Sequence, residues 1–550
     1  MNACVLRRDL KTLSSSSFDL LVIGGGILGA CIARDAALRC LATALVERGD
    51  FGSETSSNNL KVVHGGLRYL QYFDLGVARE ALRERSVWLR IAPHLVEPLP
   101  IAVPTYGHGP AGREALRAGL AIHDLIAWDR NRDLPRGRSL PPGRLLTRRE
   151  LLELAPELEG SRPNGGVLFY DAQMYSPERL VLEVVQAASQ AGAVVANYAE
   201  AEGPARPEPP FTATPIRDRV GGGAFSVRAH LIVNAGGPAS LGFLERLLGR
   251  RTTAFPSYSL AMNLMFPSFG HRVAFALRSG SDSSTPLKGS RRHLFVVPWR
   301  GHTLVGTAHY DHRADPATFT LNEQEVTRFL DEVNACWPGR SLRRDETQLV
   351  HAGLLPARSI SGSSGVRLRR RPLVVDHACE GMPNLVSAVS VKFTTARLLA
   401  ERTIDLAMRN LGYHPSACLT ANQPLPGGIG ESPADLAGRA ERAWGEALPT
   451  DVLQHLLRTY GGRYENVIAV RESRQGWDRR IVASAPVILA QFVHGVREEM
   501  AQQPEDLVLR RTELGARGMS SPAAIEAARQ VLRSEPASSS VGLRDRMALE

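Results

Sequence analysis

The run Gly24-Gly25-Gly26-Ile27-Leu28-Gly29 constrains the fold of this chain more than any other feature. It is a G-x-G-x-x-G placed directly after an apolar segment, residues 19–23, and at the opening of a segment, residues 27–38, whose composition reads as a helix. A second strand at residues 43–46 completes βαβ order. In such a unit Gly24 permits the tight turn, Gly26 lets the backbone approach a pyrophosphate, and Gly29 lets helix and strand pack closely. The N–H groups of Ile27 and Leu28, at the helix N-terminus, then face the phosphates. Glu47 ends the second strand, eighteen residues past Gly29 and just before Arg48, where a carboxylate accepts hydrogen bonds from an adenosine ribose. Alone, the glycine run fits a plain turn equally well; with strand, helix and acid around it, it specifies a dinucleotide site.

The chain has 550 residues, 43% of them hydrophobic, enough for a large core divided over two or three domains. Its six cysteines are scattered, which suggests neither a disulfide framework nor a metal site and fits a reducing, cytoplasmic setting. The apolar run from residue 20 to 33 is interrupted by four glycines and ends in Arg34-Asp35, too short and broken to span a bilayer. Residues 1–17 lack the apolar core of a secretory signal and read as a flexible tail. The net charge of +10 suits an anionic membrane, a nucleic acid or an acidic metabolite, and equally a solvated surface. Aromatic residues make up 6% and do not interleave with the basic runs, which argues against nucleic acid as a partner.

Along the chain, residues 74–121 read as a long basic helical stretch, with Arg79, Arg83, Arg85 and Arg90 among Leu82, Val87 and Leu89. Ser176-Pro177 reads as an N-cap and first residue of a helix running to 190, followed by a strand at 194–198. A buried strand at 230–234 leads into a second tight turn, Ala235-Gly236-Gly237. Residues 293–297 and 303–305 form a hairpin turning at Arg300-Gly301. After residue 428 the pattern is helical, near 433–445, 451–459, 485–502 and 521–533. The predicted fold is α/β: a Rossmann-type nucleotide domain, an antiparallel-sheet substrate domain and a C-terminal helical domain. The nucleotide segments are about 18–80, 163–255 and 345–415, the substrate segments about 81–162 and 256–344, the helical domain 426–535, and 536–550 a flexible tail.

FAD is the expected dinucleotide, because Glu54-Thr55-Ser56-Ser57-Asn58 offers a run of small hydroxyl and amide side chains to an extended ligand, though an ordinary polar loop has the same composition. The next segment, Lys61-Val62-Val63-His64-Gly65-Gly66-Leu67-Arg68-Tyr69-Leu70, crowds cations and paired glycines together. This stretch resembles a signature of the FAD-dependent glycerol-3-phosphate dehydrogenases, within the wider group of flavoproteins similar to D-amino-acid oxidase. Pro93-His94-Leu95, Val233-Asn234-Ala235-Gly236-Gly237-Pro238, Val297-Pro298-Trp299 with Val305-Gly306-Thr307, and Lys392-Phe393-Thr394-Thr395-Ala396-Arg397 agree in order, as do Leu425-Pro426-Gly427-Gly428 and segments between 496 and 515.

The resemblance implies oxidation of sn-glycerol 3-phosphate to dihydroxyacetone phosphate with hydride passing to the flavin, whose electrons then go to a membrane quinone, or to O2 in oxidase relatives. In that picture His64 is the candidate base, an imidazole titrating near neutrality. Arg68, Tyr69 and Lys392 hold the substrate, with Lys61, Arg358 and Arg371 as further contacts. Lys61, His64, Gly65, Gly66, Ala235, Gly236, Gly237, Lys392, Phe393 and Thr394 join the glycine motif, Glu47, Arg48, Thr55, Ser56 and Ser57 around the cofactor. The helix opening near Thr394 and Thr395 points N–H groups at the flavin C2 carbonyl. Attachment to the inner face of the cytoplasmic membrane would be peripheral.

Three departures fall on the substrate side. Leu355 stands where the family has a phosphate-binding arginine, Ser390-Val391 where a glycine pair precedes the lysine, and Ala308-His309 where Thr-Asp is usual. The alternative reading is therefore an oxidoreductase of the same fold acting on another hydroxy compound or an amine, with O2 as a candidate acceptor.

Overall fold

The computed structural model describes residues 5–66, 74–109, 112–203, 206–249, 257–281, 291–312, 319–337, 339–359, 366–369, 371–428 and 430–535. The chain divides into two compact units, each assembled from separated stretches: Met1–Ser57, Ser176–Phe255 and Pro372–Glu550 make the first, Asn58–Tyr175 and Pro256–Arg371 the second. The sequence reading places these exchanges near residues 80, 162, 255 and 344. Three of the four fall elsewhere, because Val62–Val63, Gly165–Met174 and Leu349–Ser359 all pair within the sheet of the second unit and not with the nucleotide sheet.

The first unit is built on five parallel strands in the spatial order Leu385–Val389, Ala224–Asn234, Ser17–Ile23, Thr43–Val46, Val194–Ala196. Their near-continuous apolar character follows from burial on both faces, and the order is that of a doubly wound dinucleotide fold. The helix Ile27–Leu38 is buried along almost its whole length. Its buried charges have partners within the unit: Arg34 donates to the carbonyls of Thr420 and Gln423, and Arg39, just past the helix end, pairs with Asp35 and Asp405. Leu373–Asp376 adds an antiparallel edge strand, and Phe211–Asp218 pairs with the early half of Ala224–Asn234.

Residues 5–17, expected as part of a flexible tail, are instead docked. Leu6 and Leu13 are buried, Arg8 donates to Asp218 and to the carbonyls of Asn197 and Tyr198, and Asp9 caps a helix at Leu10–Ser15. Two apolar side chains and one arginine suffice to order a segment that composition alone reads as loose. The remaining tail, 536–550, lies outside the described residues.

The C-terminal part of this unit is helical, at Pro433–Trp444, Thr450–Tyr460, Tyr464–Glu472, Leu489–Glu498 and Pro522–Ser534, around a core that includes Leu456, Tyr460, Tyr464 and Phe492. The expected long helix at 485–502 is confined to Leu489–Glu498, and Asp506–Arg511 forms a π-helical turn of its own.

The second unit is a mixed, mainly antiparallel sheet in which Ser257–Pro267 lies between His302–His312 and Leu349–Ser359. The hairpin is longer than predicted, Arg291–Trp299 with His302–His312, but turns where expected: Arg300 and Gly301 both have positive φ, as a two-residue hairpin turn demands. The stretch 74–121 is not one helical region. It is a helix, Leu75–Ile91, a strand, Val96–Thr105, and a second helix, Arg113–Ile126. Prolines 98, 100 and 104 hide the strand from a sequence reading, since each removes a ladder donor. All three fall on one side: the carbonyls of Leu95 and Thr105 accept from Tyr175 and Asn164, so the odd positions face Gly165–Met174 and the prolines face away.

Candidate functional site

The glycine motif sits where the central strand Ser17–Ile23 ends, and the second glycine turn, Ala235-Gly236-Gly237, ends its parallel neighbour. The two turns touch. A Cβ on Gly24, whose φ is +108°, would lie 2.6 Å from the carbonyl oxygen of Ala235, and one on Gly29 would lie 1.8 Å from the carbonyl oxygen of Gly24. Both positions therefore accept only glycine. Chain order reverses between these two strands, which is the crevice where open α/β sheets bind dinucleotides.

Glu47 closes the crevice on the other side. Its carboxylate accepts from the N–H of Gly25 at 2.6 Å and from that of Gly49 at 2.8 Å, one bond to each oxygen. Each carboxylate oxygen has a second lone pair, so the pair of ribose hydroxyls the motif implies has acceptors waiting. Burial pushes the Glu47 carboxyl up, against the lowering effect of those two N–H groups.

The polar loop after Glu47 folds over the glycine turn: Gly52 donates to the carbonyl of Gly25, Ser57 hydroxyl donates to the carbonyl of Gly52, and the Ser56 hydroxyl accepts from the N–H of Ile27 at 3.0 Å. Gly26 is open except for that hydroxyl, 3.0 Å from where its Cβ would stand. Thr55 is half-buried on the same loop. Arg48 is half-buried and pairs with Glu54 at 2.9 Å.

The lysine segment leaves the end of a third parallel strand, Leu385–Val389. Ser390 folds back on it, its hydroxyl donating to the carbonyl of Lys392 at 2.8 Å, and Thr394 is buried just before the helix Ala396–Asn410. Thr395 is the N-cap residue without a side-chain cap bond, so simple capping does not account for it. Asn234, fully buried, ties this edge together by donating to the carbonyl of Ser240 and the hydroxyl of Ser387. The sheet thus gathers Gly24 to Gly29, Glu47, Ala235 to Gly237 and the Lys392 segment along one edge. A glycine cradle that excludes Cβ atoms, a helix N-terminus and a carboxylate with spare lone pairs fit an adenine dinucleotide.

The remaining candidates belong to the second unit. His64 follows a two-residue strand, Val62–Val63, and is half-buried. Its neighbour Gly65 donates its N–H to Asp171 at 2.7 Å, and Asp171 is in turn held by Arg85 at 2.8 Å. A Cβ on Gly65 would strike Leu82, Arg85 and Asp171. This buried ion pair anchors the His64 turn. The sequence reading passes over it, although Arg85 falls on the apolar stripe of its helix between Leu82 and Leu89.

Lys61 is fully buried, its ammonium 5.5 Å from the centre of the Trp299 ring. Arg371, expected near substrate, is a surface residue paired with Asp74 at 3.2 Å, its side chain 73% exposed. Arg358 lies in the strand Leu349–Ser359, its side chain outside the described residues, and Arg68 and Tyr69 lie outside them altogether.

The sheet register assigns faces to the departures noted in the sequence. Ser259, Ala261 and Asn263 stand opposite Leu355, Gly353 and His351 on one side and, for Ser259 and Ala261, opposite Asp311 and His309 on the other. These residues share one face, on which Ser259, Asn263 and His351 are buried. The opposite face, with Met262, Leu264, Val305 and Ala308, packs against Val326, Phe329 and Val333 of the helix Glu323–Cys336. A sheet with one apolar face and one buried polar face is built to contact something polar.

Residues 19–406 match the FAD dependent oxidoreductase family, and residues 418–537 match the C-terminal domain of alpha-glycerophosphate oxidase. The chain is 31% identical over 516 residues to a glycerol-3-phosphate dehydrogenase of Synechocystis, covering 92% of this chain and 90% of that one. The chain belongs to the FAD-dependent glycerol-3-phosphate dehydrogenase family. The bovine mitochondrial glycerol-3-phosphate dehydrogenase is also 31% identical, over 526 residues, with 68% of its length covered. The glycerol-3-phosphate dehydrogenase from Bacillus halodurans complexed with FAD superposes with a TM-score of 0.74 over 97% of this chain and 94% of that one, at 24% identity. The family's cofactor is FAD, and the glycine cradle and Glu47 are where this glycerol-3-phosphate dehydrogenase-like chain would hold its dinucleotide.

Proposed function

We propose that this protein oxidises sn-glycerol 3-phosphate to dihydroxyacetone phosphate and delivers the electrons to a quinone. The observation that carries the reading is the coincidence of an intact dinucleotide crevice with near full-length similarity to a glycerol-3-phosphate dehydrogenase. Bound FAD supplies the acceptor for the hydride that leaves C2.

The chain's own residues do the rest. His64 takes the proton of the C2 hydroxyl, with Arg85 and Asp171 fixing the backbone that carries it. Arg68, Tyr69 and Lys392 hold the substrate's charge and hydroxyls, with Arg358 a further candidate cation. Arg371 is given up for that role, since its partner is Asp74. Lys61, buried against Trp299, acts through the packing of the sheet and not as a ligand.

Leu355 favours a second reading, in which the substrate is a less charged hydroxy compound or an amine and O2 is the acceptor. Anaerobic mixing of the purified flavoprotein with a metabolite panel separates the two. Bleaching of the flavin's visible band by glycerol 3-phosphate supports the first; bleaching only by uncharged alcohols or amines, with hydrogen peroxide formed in air, supports the second.

A further inference from the structure

Tyr198 holds a backbone conformation that few tyrosines adopt: its φ is +52°, between the short strands Val194–Ala196 and Ala199–Ala201. A bulky residue in the left-handed region is strained, and it persists only where surrounding bonds over-determine it. Here every polar atom of the residue is engaged. Its N–H donates to the carbonyl of Gly49 at 2.8 Å and its hydroxyl to Asp506 at 2.6 Å. Its carbonyl accepts from the N–H of Arg219 at 2.8 Å and from Arg8 at 3.1 Å.

Two further backbone bonds tie the same segment to the turn after Glu47. The carbonyl of Ala196 accepts from the N–H of Glu47 at 3.0 Å, and Ala199 donates its N–H to the carbonyl of Glu47 at 2.7 Å. A carboxylate whose two oxygens each take one N–H, from Gly25 and from Gly49, tolerates little movement of the backbone that carries it. The path of residues 196–199 therefore sets where the Glu47 carboxylate stands.

That path is gripped by the first residues of the chain. Arg8 Nε donates to the carbonyl of Asn197 at 2.8 Å, and Nη2 donates to the carbonyl of Tyr198 and to Asp218 at 2.6 Å. A planar guanidinium meets two successive carbonyls and a carboxylate at once, which an ammonium on a flexible stem does not. Arg8 is itself fixed from both sides. Leu6, buried, donates its N–H to the carbonyl of Glu498 at 2.9 Å, and Leu13 is buried in the short helix that Asp9 caps. Arg7, its neighbour, is exposed.

We propose that Arg8 is a positioning residue of the cofactor site: it clasps Asn197 and Tyr198 against the Glu47–Asp50 turn and so aims the Glu47 carboxylate at FAD. The inference rests on Glu47 facing the cofactor and is independent of which substrate is oxidised. A role limited to holding the N-terminal segment down lowers the melting temperature and leaves FAD affinity alone. A role through Glu47 lowers FAD affinity, and the loss disappears once the carboxylate is gone.

The full-length holoprotein is diluted stepwise, and released FAD is read by its fluorescence. Arg8→Gln raises the FAD dissociation constant ~10-fold, the scale of one lost charge-assisted contact. Arg8→Lys, which keeps the charge without the fork, recovers part of the loss, and Arg7→Gln leaves the constant at the parent's value. In the Glu47→Gln background, adding Arg8→Gln changes it by less than about 2-fold, because both residues act on one contact. An Arg8→Gln protein that releases FAD as the parent does overturns the proposal, and so does an effect equally large with and without the Glu47 carboxylate. A Glu47→Gln protein with the parent's affinity removes that carboxylate from the cofactor site, and the proposal with it. None of these results bears on glycerol 3-phosphate as substrate. Should Arg8→Gln fail to fold, Asp218→Asn, which keeps the arginine but weakens the hold on its far arm, carries the same comparisons.

Discussion

Arg511 holds Asp50 with both arms of its guanidinium, Nη1 to Oδ2 at 2.6 Å and Nη2 to Oδ1 at 2.9 Å, across 461 residues of sequence. Arg510 adds a bond to Asp50 at 2.6 Å, Asn197 another at 2.9 Å, and Asp506 is shared by Arg510 and Tyr198. Asp50 follows Gly49, whose N–H is one of the two on Glu47. The C-terminal helical segment therefore braces the turn that presents the Glu47 carboxylate.

Burial raises the Asp50 pKa, but the charges and hydrogen bonds of Arg511 and Arg510 outweigh it and hold the carboxyl well below the usual range. A depressed native pKa contributes stability that is present at neutral pH and is lost as pH falls below about 4, toward the native value. Asp50→Asn is expected to cost ~3–5 kcal/mol at pH 7, because it strands two buried cations. The gap in melting temperature between variant and parent should shrink on acidification; a gap independent of pH would contradict an ionised Asp50.

FAD affinity should also titrate. The free Glu47 carboxyl is raised above 4.5 by burial, while ribose hydroxyls donate only to a lone pair and favour the anion. Binding is then tightest when Glu47 is ionised, and the dissociation constant rises as pH drops through its elevated pKa. Glu47→Gln should bind FAD weakly at every pH, without that inflection. Fluorescence titration of the apoprotein from pH 4 to 8 reads both curves.

Gly29→Ala puts a methyl group 1.8 Å from the carbonyl oxygen of Gly24, and the turn must open to relieve it. Gly26→Val crowds the Ser56 hydroxyl and the pyrophosphate approach. Both variants should bind FAD at least tenfold more weakly, a loss of more than ~1.4 kcal/mol of binding energy, and purify with less flavin than the parent. The ratio of flavin to protein absorbance is the measurement, and full occupancy in Gly26→Val would refute the cradle.

Leu355→Arg should improve kcat/KM for glycerol 3-phosphate by roughly 10- to 150-fold, since a charge-assisted bond to phosphate contributes about 1.5–3 kcal/mol. Leu355 is half-buried on the polar sheet face opposite Ser259, so the new guanidinium has polar company. An unchanged KM would mean that the phosphate is bound elsewhere.

Local signals were legible where one short rule decides the structure. The βαβ unit, the Ser176 cap with Pro177 and the turn at Arg300-Gly301 each follow from a few adjacent residues. What escaped depends on distant partners. Pro98, Pro100 and Pro104 look like breakers until their neighbour Gly165–Met174 is known. Arg85 looks like one surface arginine among several until Asp171, 86 residues away, is placed against it. Leu6, Arg8 and Leu13 look like a tail until residues 197, 218 and 498 are seen to meet them. In the cofactor site, the glycines and Glu47 were readable because a motif fixes them. The buried polar face around Asn263 and His351 was not, because only strand register gathers it.

The interleaving of the two units sets an order of events at the ribosome. Every stretch of the second unit has been synthesised by Arg371, whereas the first still lacks the strand Leu385–Val389 and the arginines at 510 and 511. The nucleotide crevice waits half built, with Asp50 offered Asn197 but not yet its two arginines, until nearly the last residues emerge. A chain stopped before Arg510 is therefore expected to lack the brace on the Asp50 turn and to hold FAD less well than the full chain.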